Sequence, residues 1–253
     1  MTNTDNSRAT LALTCLDLTN LNDDCTPADI EALCERAFTP FGHVAAICIW
    51  PRFVKQAAGL LAGKPVRIAT VVNFPAGGED REAVMAETKA VVADGANEVD
   101  LVIPYRRIGD EPDLAYGMVT GTRSVAGKTL LKVILETGEL QDEAMIRKAS
   151  EIAIDAGADF IKTSTGKVAV NATPEAARIM LAVIAEQGGD VGFKPAGGIR
   201  TLDEANLYLN LAEEALGPDW ATPRSFRFGA SSLIDNLLAV LEGRTGDDAG
   251  GGY

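Results

Sequence analysis

At 253 residues and 47 % hydrophobic side chains, the chain can close one core of the size of a (β/α)8 barrel. A formal net charge of −13 argues against nucleic acids and anionic membranes as partners, because basic patches hold both. A single histidine, His43, and four cysteines without metal-site or redox spacing leave metal-dependent catalysis and a Ser-His-Asp triad short of ligands and base.

The first ten residues are polar and lack the basic and apolar runs of a secretory signal, and no later stretch reaches the roughly 18 apolar residues of a membrane span. A cytoplasmic protein is expected, with reduced, structural thiols at Cys15, Cys25, Cys34 and Cys48. The stretch around Leu11 reads as an extra N-terminal segment, and residues 16–19 as a first short strand. His43 falls in a surface loop between a helix and a strand. From residue 44 onward a β-branched run, a turn and a helically spaced stretch repeat. The predicted strands are 44–50, 66–73, 98–104, 130–136, 160–164, 191–195 and 226–230. Eight strands alternating with helices imply parallel pairing and closure into a TIM barrel. Gly157 suits a left-handed cap after a helix over 143–156. Thr173, Pro174 and Glu175 open the next helix, and Thr201 with Glu204 forms a capping box. Nothing divides the chain, so residues 1–253 form one domain, with 243–253 a mobile, glycine-rich tail.

Strands of a parallel barrel are covered on both faces and read as apolar runs. Four here carry a charge in mid-run: Asp100, Lys132, Lys162 and Lys194, on consecutive strands four to seven. Burying each costs free energy that a partner or a function must offset. Ion pairs that fix register are one account of them. Chemistry is the other, because an unperturbed lysine is almost wholly protonated at neutral pH and cannot attack a carbonyl. Two lysines on neighbouring strands repel as cations, and burial disfavours charge further, so one of Lys162 and Lys194 should release its proton readily. Asp100, in a layer with strand six, is placed to relay protons, and Lys132 is its expected ion-pair partner.

Three glycine-rich turns follow the last strands: Thr165-Gly166-Lys167, Gly197-Gly198, and Gly229 with Ser231 and Ser232. Backbone N–H groups at such turns can approach an anion, and barrels commonly hold a phosphate there. Val168 follows Lys167 where a nucleotide P-loop needs Ser or Thr, so that motif is rejected. The residues alone give a phosphate-binding barrel with a reactive lysine, an aldolase by its chemistry, with the substrate open.

The segments Ala45-Ala46-Ile47-Cys48-Ile49, Glu98-Val99-Asp100, Leu131-Lys132-Val133-Ile134, Phe160-Ile161-Lys162-Thr163-Ser164-Thr165-Gly166, Gly192-Phe193-Lys194-Pro195-Ala196-Gly197-Gly198 and Arg227-Phe228-Gly229-Ala230-Ser231-Ser232 resemble those of deoxyribose-phosphate aldolases. The resemblance runs from Leu11 to Tyr253. It implies reversible cleavage of 2-deoxy-D-ribose 5-phosphate to D-glyceraldehyde 3-phosphate and acetaldehyde, with no cofactor and no metal. By resemblance, Lys162 is the Schiff-base lysine, Lys194 lowers its pKa, and Asp100 is the acid/base. Asp17 contacts substrate hydroxyls, with Thr19 beside it and Lys132 also in the substrate site. Tyr253 matches a C-terminal tyrosine, which is expected to assist proton transfer. The partners are then small phosphorylated sugars and aldehydes, and a homodimer is a candidate assembly. Competing readings are a transaldolase-like or keto-acid Schiff-base aldolase, a barrel isomerase that abstracts a proton with a carboxylate, and a non-catalytic sugar-phosphate binder.

Overall fold

The computed structural model describes residues 3–140 and 142–244, so Tyr253 and the expected tail from residue 245 onward lie outside the described residues. The segment around Leu11 is helical, α1 (Asn3–Thr14), and buries Ala9, Ala12 and Leu13 from one helical face against α9 and α10. After it come β1 (Leu16–Asn20), α2 (Pro27–Arg36), β2 (Phe38–Thr39), β3 (Gly42–His43), β4 (Ala46–Ile49), α3 (Val54–Leu60), β5 (Arg67–Val72), α4 (Arg81–Ala93), β6 (Glu98–Val102) and α5 (Pro112–Ala126). The second half contains β7 (Leu130–Ile134), α6 (Thr137–Leu140), α7 (Glu143–Asp155), β8 (Phe160–Lys162), α8 (Pro174–Glu186), β9 (Gly192–Lys194), α9 (Leu202–Leu216), β10 (Phe228–Ala230) and α10 (Leu233–Leu241).

Eight strands form one parallel sheet in the order β10-β1-β4-β5-β6-β7-β8-β9. Parallel bridges from Phe193 to Phe226 and from Ala196 to Gly229 join β9 to β10 and close it. This is the TIM barrel expected from the alternation of strands and helices. Thr173 and Thr201 accept the N–H groups of Ala176 and Glu204, and Gly157 takes φ 97 beyond α7. His43 is not in a loop. It pairs with Phe38 in the β2–β3 ribbon, where Gly42 takes φ 126 and the Thr39 hydroxyl bonds Phe41 N–H and Gly42 O. Several predicted strands overrun at their carboxyl ends, because residues such as 73, 103–104, 135–136 and 163–164 leave the sheet for the rim loops. Asn73 and Glu136 turn out through the left-handed region at φ 55 and 57.

The main apolar core lies between strands and helices, as parallel strands require. A second, small cluster of Leu21, Ala46, Cys48, Ala69 and Val71 lines β1, β4 and β5 with short side chains. Asp17 on β1, charges on β6 to β9, and Arg227 just ahead of β10 fill the rest of the interior. All four cysteines are free and buried. No helix among the described residues is long and apolar enough to cross a membrane.

Candidate active site

Seven charged side chains meet inside the barrel: Asp17, Glu98, Asp100, Lys132, Lys162, Lys194 and Arg227, none more than 3 % exposed. Their contacts cross it. Arg227 at the foot of β10 reaches Glu98 on β6 at 2.8 and 3.0 Å, and Lys132 on β7 lies 3.6 Å from Asp17 on β1. Asp100, Lys132, Lys162, Lys194 and Asp17, the five charged residues expected at the site, come together here, and of these five only Lys162 reaches the cavity.

Asp100 is the hub. One carboxylate oxygen accepts from Lys132 at 2.8 Å, and the other accepts from both Lys162 and Lys194, each at 2.8 Å. Lys194 also donates to Asp17 at 2.5 Å, and Asp17 takes Arg227 on its other oxygen at 2.6 Å. Lys132 is further paired with Glu98 at 2.6 Å. Arg67, half exposed at the outer end of β5, lies 3.0 Å from Glu98. Gly229 makes room for this packing: a β-carbon there would stand 2.7 Å from Ala196 Cβ and 3.2 Å from Lys194 Cε.

Among the seven buried groups four cations face three carboxylates, and Arg67 adds a fifth cation at Glu98. Positive charge is therefore in excess, and the partner count identifies the lysine that releases a proton at least cost. Lys132 has three carboxylates within salt-bridge distance, Lys194 has two and Lys162 has one. Burial and the neighbouring Lys194 ammonium hold Lys162 below the ordinary lysine range against the pull of Asp100. Burial acts on Lys194 too, but Asp100 and Asp17 outweigh it and push that lysine up. Lys132 is likewise raised, its carboxylates overcoming burial. On the acid side burial opposes ionisation, yet the surrounding cations prevail and hold Asp17, Glu98 and Asp100 below the usual carboxylate range.

Of the three lysines, only Lys162 lines the cavity at the carboxyl end of the barrel, a space of about 400 Å³. Thr19, Thr165, Gly166, Lys167, Gly197, Gly198, Gly229, Ser231 and Ser232 also line it, so the three glycine turns share one chamber. Gly197 and Gly198 follow one another at φ 85 and 86, and the Gly197 N–H donates to Gly229 O at 3.2 Å, which ties these two glycine turns together. The amides of Gly198, Ile199 and Ser231 have no acceptor among the described residues. The Thr165 hydroxyl proton goes to Glu136 at 2.6 Å, and the Lys167 ammonium to Leu21 O at 2.8 Å.

Glu98 and Arg227 received no role from sequence, although the same signal marks them. Arg227 interrupts Phe226–Phe228, and Glu98 shares a strand face with Asp100 two residues on. Leu21, Asn22, Asn171 and Arg200 line the cavity from loops where no periodicity points to them.

Residues 11–236 match the model of the DeoC/LacD family aldolases. A deoxyribose-phosphate aldolase of Agrobacterium fabrum is 59 % identical over 248 residues, covering 97 % of this chain and 96 % of its own. Among solved structures, a candidate deoxyribose-phosphate aldolase of Toxoplasma gondii superposes with a TM-score of 0.86 at 26 % identity, over 96 % of this chain and 99 % of that one. The tetrameric deoxyribose phosphate aldolase of Aeropyrum pernix, at 24 % identity and a TM-score of 0.77 over 95 % and 98 % of the two chains, shares the fold. The family match takes in every barrel strand, and with them all seven interior charges, so the chain belongs to the DeoC/LacD family of aldolases.

Proposed function

We propose that the chain catalyses the reversible retro-aldol cleavage of 2-deoxy-D-ribose 5-phosphate to D-glyceraldehyde 3-phosphate and acetaldehyde through a Schiff base on Lys162. One observation carries the assignment of the nucleophile: Lys162 has the fewest carboxylate partners of the buried lysines and alone among them lines the cavity. The relative from Agrobacterium fabrum supports the choice of substrate.

Neutral Lys162 adds to the C1 carbonyl of the open-chain sugar, a proton passes from nitrogen to oxygen, and a second proton, given to the carbinolamine hydroxyl and returned when water later adds back, lets water leave and an iminium form. A base removes the proton of the C3 hydroxyl, the C2–C3 bond breaks, and its electrons form the C1–C2 enamine while the three-carbon aldehyde phosphate departs. Protonation at C2 and addition of the water lost earlier return acetaldehyde and the free amine. Asp100 bridges Lys162 and Lys194 through one oxygen, which makes it the route for protons at the carbinolamine. Three cations keep it a weak base, so it hands a proton on to its neighbours. Thr19 lines the chamber on the side of the sugar hydroxyls, Asp17 lies behind it on Lys194 and Arg227 and acts on the sugar only through them, and the Gly197–Gly198 and Ser231–Ser232 turns hold the phosphate. This binding energy fixes C1 against the amine.

Incubation with 2-deoxy-D-ribose 5-phosphate and coupled detection of D-glyceraldehyde 3-phosphate tests the reading. Release of the triose phosphate is expected, with a much lower kcat/KM for 2-deoxyribose itself. Cleavage only of a ketose phosphate or keto acid would move the chain to another Schiff-base aldolase, and isomerisation without cleavage would remove it from the class.

A further inference from the structure

Among the described residues, four acidic side chains are fully buried, and three of them, Asp17, Glu98 and Asp100, belong to the ion network. The fourth, Glu136, has no cation within salt-bridge distance. It stands just beyond β7 at φ 57, in the left-handed region that costs a non-glycine residue about 1 kcal/mol or more. Burial pushes its carboxyl above the usual range, against the hydrogen bonds from Thr165 and the more distant Lys162. An uncompensated buried acid on a strained backbone has two costs that nothing in its own strand offsets.

The carboxyl's contacts show what it does. One oxygen accepts the Thr165 N–H at 3.0 Å and the other the Thr165 hydroxyl at 2.6 Å. Thr165 Oγ1 in turn accepts the Lys167 N–H at 3.0 Å, and the Lys167 ammonium reaches Leu21 O, another lining residue. Two residues on, Gly138 receives the same loop so closely that a β-carbon would fall 1.9 Å from Val170 O. The β8–α8 connection is thus clamped to residues 136–138 at both its near and far ends. The Thr165–Gly166–Lys167 turn forms one wall of the chamber and contributes no carboxylate or ammonium to Lys162.

We infer that Glu136 is a positioning residue for sugar-phosphate binding: through Thr165 it holds the Thr165–Lys167 turn in the conformation that completes the cavity wall. This rests on the aldolase reading and deepens it. Acetaldehyde reacts at Lys162 without spanning the chamber, whereas a five-carbon sugar phosphate needs its far wall. The two ligands therefore separate positioning from chemistry.

The test compares wild type, Glu136→Ala and Glu136→Gln by steady-state cleavage of 2-deoxyribose 5-phosphate and by borohydride trapping with acetaldehyde alone. Loss of two charge-assisted hydrogen bonds predicts a KM increase of about 10- to 100-fold for Glu136→Ala, with the trapping rate within about twofold of wild type. Glu136→Gln, which is isosteric and keeps an acceptor for the Thr165 amide, should recover most of the KM. An unchanged KM in Glu136→Ala overturns the inference. So does a parallel loss of trapping and KM, which would mean general damage or a direct effect on Lys162. Glu136→Gln as impaired as Glu136→Ala also overturns the inference, because the amide oxygen still accepts the Thr165 N–H that fixes the turn. If wild type neither traps acetaldehyde nor cleaves the sugar, the aldolase reading itself has failed, a result distinct from all of these.

Discussion

Replacing Lys194 with leucine removes the ammonium that shares an Asp100 oxygen with Lys162. Both nitrogens lie 2.8 Å from that oxygen, so they stand no more than about 5–6 Å apart. At an effective dielectric of about 20, two unit charges ~5 Å apart repel by ~3 kcal/mol, roughly a hundredfold in the neutral fraction of the weaker base. Loss of Lys194 also leaves Asp100 fewer cations to satisfy, and its pull on the Lys162 proton strengthens. Both effects have the same sign: Lys162 titrates at higher pH, and the acid limb of Schiff-base formation moves upward. The fold should survive, because Asp17 keeps Arg227 and Lys132, and Asp100 keeps Lys132 and Lys162. A stability loss of about 3–5 kcal/mol is expected for breaking a buried pair. The assay is the initial rate of borohydride trapping with acetaldehyde across pH 5–10, alongside a urea melt. An acid limb that stays in place or moves down in a folded variant would refute the electrostatic account of Lys162.

Asp100→Asn leaves three ammonium groups facing a neutral amide and removes the proton route; kcat should fall by about 10²- to 10⁴-fold with the far-UV spectrum retained, and a fall of less than tenfold would dismiss the relay. Gly229→Ala forces a methyl against Ala196 and the Lys194 chain; a stability loss of about 1–3 kcal/mol together with reduced kcat is expected, and a neutral outcome in both would show that Lys194 has slack. Asp17, Glu98 and Asp100 all have depressed folded-state pKa values, so their stabilisation is complete above the unfolded carboxylate range of roughly 4 and is lost as pH falls through the folded values. Urea midpoints measured downward from pH 6 should drop less steeply in Glu98→Gln than in wild type, and equal slopes would mean that the interior acids do not govern acid unfolding.

Much of this was legible because barrel strands are apolar by rule and a charge inside one is conspicuous. Asp100, Lys132, Lys162 and Lys194 all stood out on that ground, and three glycine turns after the last strands pointed to the end of the barrel where the cavity lies. Arg227 carried the same mark between two phenylalanines but lay next to a glycine turn that drew the reading elsewhere. Glu136 was hidden differently. It falls at the end of a run that reads as strand, and only the backbone turn at φ 57 reveals that it has left the sheet and faces Thr165. Sequence spacing also cannot express which lysine has fewer carboxylates around it, because those partners come from strands up to 177 residues apart. Strand ends were overrun for a related reason: the apolar pattern continues into the rim loops, where packing against helices replaces pairing.

The most direct test of the central claim is reduction with borohydride in the presence of acetaldehyde, followed by peptide mapping. The account predicts a single N-ethyl lysine at Lys162, its formation rising with pH through a midpoint below that of an ordinary lysine. An adduct at Lys132 or Lys194, or no adduct from a protein that still cleaves the sugar, would contradict it.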